Sequence, residues 1–232
     1  RCSNALVSDA ATDELIGNLD LFAGYGVNTV SVFFQGSRFG DVKGYREDAT
    51  LDPVYAARMG RIIEAADERA MIVLVGCLYW GTSRAKWEHW TQAEANAAVR
   101  NTVQWLVDHD YHNVFVDVDN EGMALRSVGF DNRALVRAGK AVDPTIMIAT
   151  NYHGDPPPEA DLAIHHSNKA LDKPYIESEG SAGDVPGGQG YWGPYSNPRD
   201  GSYNYTNIGC YTEAMKASQK ARTRAHLDHG MG

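Results

Sequence analysis

The 232 residues, 43% hydrophobic and 22% charged, supply a core for one α/β domain, toward the lower end of the roughly 200 to over 400 residues of barrel folds. A formal charge of −9 leaves no basic surface for nucleic acid or an anionic membrane, and no apolar run reaches the roughly 18 residues of a membrane span. A neutral or cationic ligand fits this balance better. Cys2, Cys77 and Cys210 are too few and too scattered for a disulfide framework and show no zinc spacing; Cys77, ending an apolar run, reads as a small buried core residue. Arg1 opens the chain with no initiator methionine, so secretion to the periplasm or beyond stays open, as does the oligomeric state.

In chain order, a helical pattern at Thr12 to Ala23 places Leu15, Leu19 and Phe22 on one face, with Asp13 and Glu14 in its first turn. Val27 to Phe34 is a β-branched and aromatic run of the kind that forms a buried strand. Asp52-Pro53 then supplies an N-cap followed by proline at the first helical position, predicting a helix to about Arg69. Met71 to Leu78 reads as the next strand, and Thr91 with Glu94 forms a capping box for a helix to His109. A strand at Asn113 to Asp119 runs into Asn120-Glu121-Gly122, followed by a helix near Asn132 to Val142 and a strand at Thr145 to Thr150. Asp161 to His165 and Pro174 to Ser178 read as two further strands with short crossovers, and a last helix is expected at about Thr206 to His229.

Six strands alternating with helices predict an α/β fold with a parallel sheet. A doubly wound sheet and a closed barrel both fit the rhythm. A glycine-rich turn after the first strand marks the former, and none is present, while candidate chemistry follows several different strands as in barrel enzymes. The expectation is a TIM (β/α)8 barrel forming one catalytic domain over residues 1 to 232. An opening strand is expected before or around Arg1 to Leu6 and an eighth after Gly232, so that the barrel is incomplete at both ends.

In NVFVDVDNEG, Asp117, Asp119 and Glu121 share one side of the alternation while Val114, Val116 and Val118 share the other. In a barrel the valines pack on helices and the acids face inward, where a carboxylate must be hydrogen-bonded, metal-bound or used. Asp117 and Asp119 fit a scaffold role, and Glu121, at the strand's end, a functional one. Glu177 and Glu179 of KPYIESEG repeat the pattern, with Glu179 at the mouth beside Gly180 and Glu177 a layer deeper. Two carboxylates at one open end can divide glycoside cleavage: one protonates the leaving oxygen, the other attacks the anomeric carbon or activates water.

These phrases resemble the clan A glycoside hydrolases, a superfamily of retaining barrel glycosidases that includes cellulase-like, mannanase-like and β-galactosidase-like families. Asn120-Glu121 is similar to the strand-four pair of that superfamily, Lys173-Pro174 with Glu179-Gly180 to its strand-seven phrase, and GVNTVSVFF to its strand two. The resemblance implies Glu121 as acid/base, Glu179 as nucleophile and Asn120 as the holder of the sugar's 2-hydroxyl. Ser31 stands where the superfamily has an arginine beside the nucleophile, and Arg38 is the substitute if its loop turns inward. The interval from Glu121 to Glu179 is short for three βα units.

His153 and His165 lie near strand ends and are candidates for substrate hydrogen bonding, ahead of His89 and His166. Trp80 and Trp192 are the better candidates to stack on sugar rings, whereas Trp87 and Trp90, near a helix start, fit loop packing. The expected partner is a neutral oligo- or polysaccharide, with no metal and no cofactor. Two rivals remain: a metal-dependent barrel lyase or isomerase using Asp117, Asp119 or His153, and an inactive carbohydrate-binding barrel.

Overall fold

The computed structural model describes residues 5–36, 41–80, 86–151, 155–164 and 173–176, together with Glu213, Ala217, Lys220, Ala221 and Arg224. The chain divides into two compact units, Arg1–Ala170 and Leu171–Gly232. In the second, Tyr175–Ile176 (β6) is a strand, and the five single positions are helical and exposed, on the span where a last helix is expected.

The first unit opens with α1 (Asp9–Gly24), three residues earlier than the apolar periodicity alone places it. Ser8 causes the difference: its hydroxyl accepts the Ala11 amide, and Asp9 rather than Asp13 supplies the first-turn charge. Thr12 is therefore inside the helix, fully buried, with its hydroxyl donating to the Ala5 carbonyl at 2.7 Å. There follow β1 (Thr29–Phe33), α2 (Pro53–Asp67), β2 (Ile72–Leu78), α3 (Gln92–Asp108) and β3 (Val114–Asp119). Asp52 caps α2 with Pro53 in its first turn, and the Thr91/Glu94 capping box begins α3, both as read from the sequence.

Beyond β3 come a 3₁₀ turn at Asn120–Gly122, a short helix α4 (Met123–Val128), then α5 (Asn132–Lys140), β4 (Ile148–Asn151) and β5 (Leu162–Ile164). α4 has no counterpart in the sequence expectation: Gly122 and Gly129 bracket six residues so closely that the stretch reads as loop.

β1 to β5 pair in chain order and all in parallel. This order separates the two candidate architectures, because a doubly wound sheet reverses direction at a switch point whereas consecutive barrel units do not. Val30, Val32, Val73, Val75, Val114 and Val116 join Leu19 of α1, Ile62 and Ile63 of α2, Val99 and Val103 of α3 and Leu135 of α5 in one core cluster. The other face of the sheet carries Phe33, Gly76 and Asp117 in one row across β1, β2 and β3. Gly76 is needed there, since a Cβ would fall 1.8 Å from the Phe33 ring. Cys77 sits fully buried, and burial pushes its thiol up to about 12, as suits an inert core residue.

Candidate active site

The carboxyl end of β3 is built from a buried polar network. Asp117 is fully buried; its Oδ1 accepts the Asp119 amide at 3.2 Å and its Oδ2 accepts Asn151 Nδ2, from the end of β4, at 3.1 Å. The same Asn151 nitrogen donates to Asn120 Oδ1 at 3.2 Å. One carboxamide thus ties the ends of β3 and β4 together. Among the described residues, its own Oδ1 and the Asn120 Nδ2 are buried without a hydrogen-bond partner, as is Nε2 of Gln35, whose Oε1 accepts the Tyr79 amide just past β2. A buried amide left half-satisfied costs on the order of 1–3 kcal/mol, and three of them stand at the ends of neighbouring strands.

Asp119 faces the same way and is also fully buried. Its two oxygens accept the Ala124 amide at 2.9 and 3.1 Å, and Oδ2 also accepts the Leu125 amide at 3.1 Å. Burial pushes this carboxyl up to about 7 and the neighbouring Asp117 charge adds to the rise, while the two amides oppose it. The Asn132 carboxamide also favours the charged form, although neither of its polar atoms makes a hydrogen bond of ordinary geometry.

Glu121 departs from the simple alternation. It belongs to the 3₁₀ turn and not to the strand, with φ 54° and ψ 18° in the left-handed region, followed by Gly122 at φ 60°. For a side chain with a Cβ this costs on the order of 1 kcal/mol, and the turn rather than the strand pleat aims the carboxylate. The side chain is 22% exposed, and Arg126 of α4 approaches its Oε2 at 3.9 Å, a weak ion pair at that distance.

Trp80 is packed instead of open. Only 4% of it is exposed; its ring meets Phe130 at 5.3 Å and Trp90 at 6.3 Å, and Trp90 in turn meets Trp87 and Tyr45. Trp87 and Trp90 are loop-packing residues, as the sequence suggests. Glu179, Glu177, Arg38, His153, His165 and Trp192 lie outside the described residues. Sequence reading missed Asn151 and Gln35, whose only signal is an amide at or just past the end of a buried strand.

A parallel sheet in chain order, helices on one face and a polar cluster at the carboxyl strand ends define a chain of the (β/α) barrel kind. Solved structures it is similar to include glycoside hydrolases. One is a glycoside hydrolase family 5 protein from Bacteroides vulgatus, 15% identical over 90% of this chain, with a TM-score of 0.56. Another glycoside hydrolase is 16% identical over 72% of this chain, with a TM-score of 0.50. An exo-β-1,4-mannosidase from an Opitutaceae bacterium is 19% identical over 66% of this chain, with a TM-score of 0.49. The chain spans 54%, 48% and 33% of the lengths of these three, in that order. At such identities the likeness is one of fold. No family model matches the chain, and no curated protein is similar to it in sequence.

Proposed function

We propose that the chain is part of a (β/α)8-barrel O-glycoside hydrolase acting on a neutral oligo- or polysaccharide with retention of configuration. Glu121 is the acid/base, Glu179 the nucleophile, and Asn120 the group that holds a sugar hydroxyl beside the scissile bond. The observation that carries this reading is the end of β3. Asn120 is locked by Asn151, itself bonded to Asp117, and has a buried donor with no partner among the described residues, while the adjacent Glu121 carboxylate is partly exposed. An acid/base beside a fixed hydroxyl-binding amide is what protonation of a glycosidic oxygen requires. The barrel fold supports the same assignment, since catalytic groups in that fold stand at the carboxyl ends of strands.

Asp119 argues for this reading over a metal-dependent one. Both of its oxygens already accept backbone amides. A screen of aryl glycosides and polysaccharides for released reducing sugar tests the activity. Glu179→Gln should abolish turnover of activated and unactivated glycosides alike, because neither can form the covalent intermediate. Product anomers followed by NMR should show retention as the first-formed configuration, and inversion would end the assignment of Glu179 as nucleophile.

A further inference from the structure

We propose that Asp119 is the positioning residue for Glu121: its carboxyl group pulls the first turn of α4 back across the Asn120–Gly122 turn and thereby fixes Glu121 in the turn after β3. The inference rests on the reading of Glu121 as the acid/base and assigns the device that aims it.

The caps elsewhere in this chain provide the contrast. Ser8 reaches the amide three residues ahead, and Asp52, Thr91 and Asp131 reach the amide two residues ahead, the ordinary span of an N-cap. Asp119 reaches five and six residues ahead, to Ala124 and Leu125. A carboxylate can span that interval only if the residues between double back, and they do so through two consecutive left-handed residues, Glu121 and Gly122. Asp119 is anchored from behind as well, because its own amide donates to Asp117 Oδ1, and Asp117 is held by Asn151 from β4. The strained residue is therefore stretched over a clamp whose two ends are both fixed.

The test joins structure and kinetics in Asp119→Ala and Asp119→Asn. The crystal structure of Asp119→Ala should show Glu121 outside the left-handed region. On phenyl and 2,4-dinitrophenyl glycosides of the sugar the parent chain cleaves, Asp119→Ala should lose about 100-fold in kcat/KM with the phenyl leaving group and only a few-fold in kcat/KM with the dinitrophenyl one. Asp119→Asn should regain most of the loss, since its carboxamide oxygen still accepts backbone amides. Should Asp119→Ala fail to fold, Asp119→Ser, too short to reach both amides, should show the same leaving-group dependence. A folded Asp119→Ala or Asp119→Ser that keeps Glu121 left-handed, or keeps the parent's ratio of phenyl to dinitrophenyl rates while Glu121→Gln alters it, overturns the proposal. If Glu121→Gln itself leaves that ratio unchanged, the acid/base reading falls, and the conformation of Glu121 in Asp119→Ala still decides whether Asp119 positions it.

Discussion

The two ends of the parallel sheet are built on opposite terms. At the amino end, Asn113 donates to the Ile63 and Met71 carbonyls, Ile72 and Met147 are 40% and 45% exposed, and Tyr111, Val114 and Ile146 line an open groove of about 350 Å³. The left-handed residues there, Ala70 and Asp110, follow helices, where such a residue is a common way to stop. At the carboxyl end two fully buried aspartates lie within one network, and a left-handed glutamate stands in the turn that follows β3. Every buried side-chain polar atom without a partner among the described residues also belongs to this side: Gln35, Asn120 and Asn151 follow or end strands, and Trp87 and Asn132 lie at helix starts. Costly groups are thus collected at one end of the sheet, the end on which the proposed site stands, and the other end has none of these unpartnered atoms among the described residues.

The strongest way to break this comparison is at Glu121. Glu121→Gln should lower kcat/KM for glycosides with poor leaving groups by about 10²–10⁴, with much less effect on kcat/KM for activated aryl glycosides that depart without a proton. Glu121→Gly should lose the same chemistry yet match or exceed the parent in thermal stability, because glycine accepts the left-handed backbone that glutamate adopts at a cost. A clear drop in stability for Glu121→Gly would mean that this turn is not strained.

The next effect is a pH dependence of stability. The folded Asp119 holds its proton up to about pH 7, while the unfolded chain releases it near the ordinary aspartate value of 3.8. Its contribution is therefore full below about pH 4 and declines as pH rises through about 7, on the order of a few kcal/mol in all. Asp9, Asp20, Glu94 and Asp143 are held below their usual range by bonded partners, so their contributions have the opposite sign and are lost as pH falls. Denaturant titrations of the parent and Asp119→Asn across pH 4–8 separate the two: the decline should disappear in the variant. An equal slope in both proteins would assign the titration elsewhere.

Much of the scaffold was legible in the sequence because its signals are local. A capping box, an Asp-Pro helix start and β-branched runs act within a few residues, and the elements they announce are present with ends shifted by one to three positions. The acid pattern of β3 was legible too, and the alternation correctly turned Asp117 and Asp119 away from the valines. What it did not reveal is that the alternation stops at Asp119. A carboxylate bonding amides five and six residues ahead leaves no periodic trace, so neither α4 nor the turn at Glu121 could be read. Asn151 was invisible for a related reason, since its partners Asp117 and Asn120 lie on another strand and in the turn that follows it.

A smaller effect is expected halfway along the sheet, where Gly76 pairs with Phe33 on one side and Asp117 on the other. An alanine Cβ at this position would collide with the Phe33 ring, which must then leave its contact with Tyr79, whose amide Gln35 accepts. Gly76→Ala should cost about 1–3 kcal/mol in chemical denaturation, as overpacking does. It should lower activity as well, because the displaced ring lies in the row that leads to Asp117. Loss of stability with activity intact would show that this row does not support the site.

The smallest effect belongs to the amino end and serves as the counterpart of all the others. Asn113→Ala removes two bonds from one amide nitrogen, to the carbonyls of Ile63 and Met71, that brace the turn before β2 against the start of β3. The residue is only partly buried, so water can reach much of what is left, and the cost should stay near ~1 kcal/mol. Because the hydrogen bonds between β2 and β3 continue beyond Asn113 up to the pair Leu78 and Asp119, the shift should not travel along the strand, and kcat/KM should remain that of the parent. Comparable stability losses in Asn113→Ala and Gly76→Ala, with activity falling only in the latter, would locate the division between scaffold and site within the sheet; activity falling in both would show that the two ends are mechanically one.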